Sequence, residues 1–192
     1  MPTTHANSRP FRRISRRCFL KTGAGAACCL LGASPALAAL RPTLPGTRHL
    51  SLYNVHTGEK LQVRYCRRGR YLEDALSEIN HVLRDYRTGE VRAIDPNLLD
   101  CLCRLSGKSG HDCTFHVISG YRSPATNAML RKRSRHVARN SYHMYGRAID
   151  IYLPHCPLDK LRRLALSLRA GGVGYYPKSG FVHIDTGPLR HW

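Results

Sequence analysis

With 192 residues the chain has room for one folded domain, and no internal repeat or second domain divides it. Its 31 Lys and Arg against 12 Asp and Glu give a net charge of +19, which excludes a surface indifferent to charge and asks for an anionic partner. Nucleic acid, acidic wall polymers and anionic lipid are the three that qualify.

The first 38 residues read as a secretory leader. A basic region (Arg9, Arg12, Arg13, Arg16, Arg17) precedes a small, apolar run from Thr22 to Ala33, and Ala36-Leu37-Ala38 supplies an A-x-A cleavage site. The run is about 12 residues where a spanning helix needs roughly 20, so it is read as cleaved, with no integral membrane segment left afterwards. Ser15-Arg16-Arg17-Cys18-Phe19-Leu20-Lys21 resembles the twin-arginine pattern at every fixed position, which implies export of a folded protein to the periplasm. Export takes nucleic acid off the list of partners. The leader holds 6 of the 31 basic residues and none of the 12 acids, so the remaining chain still carries 25 cations against 12 anions. It also keeps five cysteines (Cys66, Cys101, Cys103, Cys113, Cys156), an odd number that allows at most two disulfides and leaves the pairing open.

Residues 39–48, rich in Pro and Gly, read as a linker or extended arm, and the folded domain as 49–192. His49 to His56 and Lys60 to Cys66 are β-prone runs around Thr57-Gly58-Glu59, a hairpin pattern. From Tyr71 to Arg87 the apolar positions Leu72, Leu76, Ile79, Val82, Leu83 and Tyr86 recur at helical spacing. A second helix fits Pro96 to Leu105, opened by its proline. Phe115 to Ser119 reads as a buried strand, Gly120-Tyr121-Arg122-Ser123 as a turn, and Pro124 to Arg133 as a basic helix. Arg147 to Leu153 alternates as a strand, and Pro157 to Arg169 is an amphipathic helix ended by Gly171-Gly172. Val173 to Tyr176 and Phe181 to Asp185 close the pattern as a hairpin. Strands and helices in mixed order, with hairpins instead of strict βαβ alternation, predict an α+β fold with a small antiparallel sheet and flanking helices.

Two segments carry metal-ligand chemistry. Ser141-Tyr142-His143-Met144-Tyr145-Gly146-Arg147-Ala148-Ile149-Asp150 joins a loop histidine to a strand aspartate across a glycine that lets the chain double back. Val182-His183-Ile184-Asp185 puts His183 and Asp185 on one side of a strand. If the two strands are neighbours, His143, Asp150 and His183 offer two imidazoles and a carboxylate, a set that suits Zn2+ and leaves a fourth position open, as in catalytic sites. By spacing alone, the same residues also serve as ordinary hydrogen-bonding strand histidines.

Ser119-Gly120-Tyr121-Arg122-Ser123, Ser141-x-His143-x-x-Gly146-x-Ala148-x-Asp150 and Gly180-Phe181-Val182-His183-Ile184-Asp185-Thr186-Gly187 resemble the D-Ala-D-Ala metallopeptidase superfamily, which includes the hedgehog signalling domain. Within it the chain is similar to the MepK (YcbK) type of murein endopeptidase, over essentially all of the chain beyond the leader and including the Arg190-His191-Trp192 ending. The resemblance implies a monomeric zinc peptidase acting on peptidoglycan, with His143, Asp150 and His183 as ligands, and Arg122 and Ser141 facing substrate. It also exposes a departure. Relatives place an acid or histidine two or three residues before the last zinc histidine as general base, where this chain has Gly180 and Phe181. Asp185 is therefore the expected catalytic base, with orientation of a ligand histidine as its rival role. A wall-binding module without catalysis and a D-Ala-D-Ala carboxypeptidase are the alternative functions.

Overall fold

The computed structural model describes residues 44–109 and 113–192. The leader and the first part of the expected linker lie outside the described residues. Eight strands form one mixed sheet: β1 (Arg48–Asn54), β2 (Lys60–Arg67), β3 (Arg70–Tyr71), β4 (Thr114–Ser119), β5 (Ala148–Tyr152), β6 (Gly172–Tyr176), β7 (Phe181–Asp185) and β8 (Arg190–His191). Their order is β3-β2-β1-β4-β5-β7-β6-β8, antiparallel everywhere except the β1–β4 and β6–β8 joints. Four helices accompany it: α1 (Glu73–Val82), α2 (Pro96–Ser109), α3 (Pro124–Arg133) and α4 (Leu158–Leu168). The α+β class is as predicted, while the sheet is larger than the small one expected, because the two-residue strands β3 and β8 are too short to leave a periodic signal.

The core lies between one face of the sheet and α1, α2 and α4. Leu52, Phe115, Ile149, Ile151 and Val182 meet Ile79, Leu98, Leu99, Leu102 and Leu161, all fully buried. Side chains alternate across a strand, so burying Ile149 and Ile151 on this face turns Asp150 to the other. An ion pair is buried on the core side: Arg48 is paired with Asp100 of α2, which also accepts hydrogen bonds from Tyr65 Oη (3.0 Å) and Tyr71 Oη (2.9 Å). Arg48, placed in the linker by sequence, thus opens the first strand. All five described cysteines are free thiols, with Cys66 and Cys101 buried.

Helix α1 stops at Val82, five residues short of the predicted Arg87. The chain leaves the helix because its next residues are bonded elsewhere. Tyr121 N donates to Leu83 O at 2.7 Å, and Asp85 Oδ2 accepts from Ser123 N at 2.9 Å. These bonds seat the turn before α3, whose first turn is capped by Ser123 Oγ accepting from Thr126 N at 3.2 Å. No described helix is long and apolar enough to cross a membrane.

Candidate metal centre

β4, β5, β7 and β6 align Ser119, Asp150, His183 and Gly174 in one row across the sheet, on the face away from the helices. His143 reaches the same point from a short 3-10 turn, Tyr142–Tyr145, that precedes β5. Gly146 ends this turn at φ 65°, in the left-handed region, and a side chain there would run into the Ala93 carbonyl. The reversal bends the chain so that Arg147 N donates to Tyr142 O at 3.0 Å and β5 begins one residue on.

Three donor atoms converge. His143 Nε2 lies 3.2 Å from His183 Nδ1 and 3.3 Å from Asp150 Oδ1, and His183 Nδ1 lies 2.8 Å from that same oxygen. A tetrahedral zinc with bonds of roughly 2.0–2.2 Å spaces its ligand atoms about 3.3–3.5 Å apart, so the triangle needs little adjustment to accept one. Proton placement fits as well. His143 Nδ1 is 2.7 Å from Gly120 O, a group that can only accept, so this nitrogen carries the hydrogen and Nε2 of the neutral ring keeps its lone pair for the centre. His183 Nε2 is 3.0 Å from Asp185 Oδ2, which in the same way frees Nδ1. Outer nitrogens tied to a carbonyl and a carboxylate are what orient histidine ligands at metal sites.

The electrostatics favour a cation at this point. Burial works against a charged His183, but the hydrogen bonds to Asp150 and Asp185 outweigh it and push its pKa up to about 9. Burial would also raise Asp150, yet His143 and His183 hold it far below the ordinary carboxylate range. His143 is driven down, chiefly by burial. Two carboxylates that stabilise a proton on His183 would stabilise a metal ion in its place.

The remaining predicted residues surround the triad. Arg122 Nη2 is 3.3 Å from Ser119 Oγ and 3.4 Å from Asp150 Oδ2, and its buried Nε has no hydrogen-bond partner among the described residues. Ser141 is buried at the start of the 3-10 turn, makes no capping bond and faces the cleft. Asp185 shares the His183 side of β7, as period two predicted, but stands behind that histidine and is 1% exposed. Its Oδ1 accepts from Gly172 N (3.1 Å) and Gly187 N (2.8 Å), and its Oδ2 from Arg190 Nη2 (2.6 Å). Burial raises its pKa, but the bonds from His183 and Gly187 prevail and hold it down to about 2.

Above the triad opens a cleft of about 1060 Å3. Sequence reading left its aromatic wall without a role. Trp192 pairs with β6 through Tyr175 N to Trp192 O (2.9 Å), donates from Nε1 to Tyr176 Oη (2.7 Å), and sets its ring 5.4 Å from that of His183. The indole fits because residue 174 is glycine: a Cβ there would come within 2.7 Å of it. The Arg190-His191-Trp192 ending was the available signal, though nothing local says that it folds back over the site.

Two buried histidines and a carboxylate that could hold a metal ion, open on one side to a substrate-sized cleft, form a donor set found in metal-dependent hydrolases among other metalloenzymes. Comparison with known proteins narrows the class. A family model described as peptidoglycan L,D-endopeptidase MepK matches residues 43–192. The chain is 47% identical over 178 residues to the peptidoglycan L,D-endopeptidase MepK of Escherichia coli (strain K12), covering 93% of this chain and 97% of that protein. It is 44% identical over 149 residues to the probable peptidoglycan L,D-endopeptidase MepK of Haemophilus influenzae, covering 77% and 80%. No solved structure matches it significantly. The chain belongs to the MepK family of peptidoglycan L,D-endopeptidases.

Proposed function

We propose that this protein is an exported, zinc-dependent endopeptidase that hydrolyses L,D peptide cross-links in peptidoglycan, with the bond between two diaminopimelate residues as its target. The observation that carries the reading is the convergence of His143 Nε2, Asp150 Oδ1 and His183 Nδ1 beneath an open cleft, with both outer imidazole nitrogens already engaged. Zinc held by this set supplies Lewis acidity toward the scissile carbonyl and toward water. The L,D-endopeptidase name of the relatives supports the choice of bond: an L,D linkage joins the acyl group of an L centre to the amine of a D centre. A diaminopimelate–diaminopimelate cross-link meets that description, whereas a bond from D-Ala to diaminopimelate is D,D.

The protein's own groups have distinct tasks in this reading. The orphaned Nε of Arg122 and its Nη2, which lies 3.4 Å from Asp150, place a fixed positive charge at the cleft floor, where it stabilises negative charge developing on the carbonyl oxygen. Asp185 orients His183 and does not act as the base, because both its oxygens are occupied by His183, Arg190 and two backbone N–H groups. Gly120 O does the same for His143. The Trp192–Tyr176 wall supplies an apolar surface for the aliphatic stem of diaminopimelate.

The test uses purified, zinc-loaded protein and two defined dimers, one cross-linked through diaminopimelate–diaminopimelate and one through D-Ala–diaminopimelate, with products read by mass spectrometry. Monomers are expected from the first dimer only. Release from neither, or undiminished release by His143→Ala, rejects the reading. Export by the twin-arginine route is checked separately: Arg16→Lys/Arg17→Lys is expected to leave the protein in the cytoplasm, and normal periplasmic recovery of that variant would exclude the route.

A further inference from the structure

Helix α3 is unlike the others. It buries only Thr126 and Asn127, and its last turn is Arg131, Lys132 and Arg133, after which the chain adds Arg135 and Arg139. These five cations fall within nine residues, all are exposed, and none forms an ion pair among the described residues. No acidic residue occurs between Asp112 and Asp150 to offset them. Some other arginines in the fold are matched, Arg84 with Glu59 at 2.8 Å and Arg190 with Asp185 at 2.6 Å, while Arg64, Arg67 and Arg70 at the β2–β3 edge form no ion pair among the described residues either. Like charges concentrated without counter-charge repel and weaken a fold, so their clustering calls for a ligand that relieves it.

The segment is also held in place. Asn127, 3% exposed, donates from Nδ2 to Ala138 O (3.1 Å) and Arg139 O (3.3 Å), and Ser134 N donates to Leu130 O (2.9 Å). The start of α3 is tied through Ser123 N to buried Asp85. Ser134, His136 and Val137 line the same cleft as Arg122 and the metal-binding triad. The cationic strip is therefore tied to the segment that forms one cleft wall, its charged side chains interleaved with residues that line the cleft.

We infer that residues 131–139 form a docking shelf for the non-reacting carboxylates of the peptide strand bound in the cleft. The inference rests on the endopeptidase reading only for the identity of that peptide. A cross-linked diaminopimelate retains a free carboxylate, so such a strand is anionic beyond the bond to be cut. An exposed arginine recognises a carboxylate by charge and paired hydrogen bonds. Nucleic acid is a poorer match, since no aromatic side chain is interleaved for base stacking. A lipid surface is poorer too, since the segment exposes no large apolar side chain to enter the bilayer.

The experiment compares the affinity of the zinc-loaded protein, measured before turnover, for one cross-linked dimer with free carboxylates and for the same dimer with those groups amidated. Products are counted in the same mixtures. Three exposed charge contacts correspond to about a tenfold preference for the free acid. Arg131→Gln/Arg133→Gln/Arg135→Gln is expected to abolish that preference. The control Arg64→Gln/Arg67→Gln/Arg70→Gln, which removes equal charge at the far β2–β3 edge of the sheet, is expected to keep it. A shelf variant that retains the preference overturns the inference, and so does a control that loses it equally, which would make the effect one of overall charge. Wild-type protein that prefers the free acid but releases no product overturns the endopeptidase reading and leaves the shelf standing.

Discussion

The two faces of β5 and β7 are built from the same ten residues and obey opposite rules. Toward the helices, Ile149, Ile151, Val182 and Ile184 are 0–2% exposed and make a dry apolar layer. Toward the cleft, Asp150, His183 and Asp185 are nearly as buried, at 1–8%, yet each is polar and each is bonded. Burial therefore does not distinguish core from site in this protein. Partner chemistry does: the apolar face gains by excluding water, whereas the polar face is tolerable only because every charge has an opposite or a donor beside it.

Substitutions that separate the faces should separate stability from catalysis. The largest effect is expected from His143→Ala, which should reduce hydrolysis of the diaminopimelate-linked dimer to background while leaving a cooperative thermal transition. Retained turnover would show that the faces are not divided in this way. On the other side, Ile151→Ala should cost about 2–5 kcal/mol in denaturant unfolding, because a fully buried side chain leaves a cavity. Its folded fraction should still bind zinc like wild type, and a matching loss of zinc affinity would mean that the two faces are coupled. Next in size, Asp185→Asn should weaken zinc about 10- to 100-fold in a chelator competition, the usual cost of removing a carboxylate behind a ligand histidine. Unchanged zinc affinity together with lost hydrolysis would instead restore Asp185 as a proton carrier.

The smallest effect concerns pH and the anchor of the Arg122 turn. Burial alone would raise the Asp85 carboxyl, but bonds from Thr126, Ser123 and Arg87 lower it below its ordinary value. A carboxyl depressed in the folded state stabilises the fold above its unfolded pKa of about 3.9, and that contribution is lost as pH falls through the folded value. Asp85→Asn should therefore lower the unfolding midpoint near neutrality and flatten its fall as the pH drops below about 4. An acid limb identical to that of wild type would remove Asp85 from this role.

Most elements could be read from the chain because their signals are local. α3 and β7 fall on the predicted residues, where Pro124 and Ser123 open the helix and alternation marks the strand. Misplacements occur where distant groups intervene. α1 ends early because Leu83 O and the Asp85 carboxylate bond to residues almost forty positions away. β8 forms only because the end of the chain returns to β6.

The same division runs through the site. Sequence by itself singled out the side chains proposed to carry the chemistry, since donor type and strand period are properties of short segments: His143 before Gly146, Asp150 between two isoleucines, His183 and Asp185 two apart. Tertiary structure alone decided how they are placed and what each is bonded to. Only the register that sets Asp150 opposite His183 brings the donors together, and only the return of Gly172, Gly187 and Arg190 to Asp185 occupies the oxygens of that carboxylate. Roles of this kind depend on distances of a few ångströms between residues far apart in the chain, and no local pattern encodes such distances.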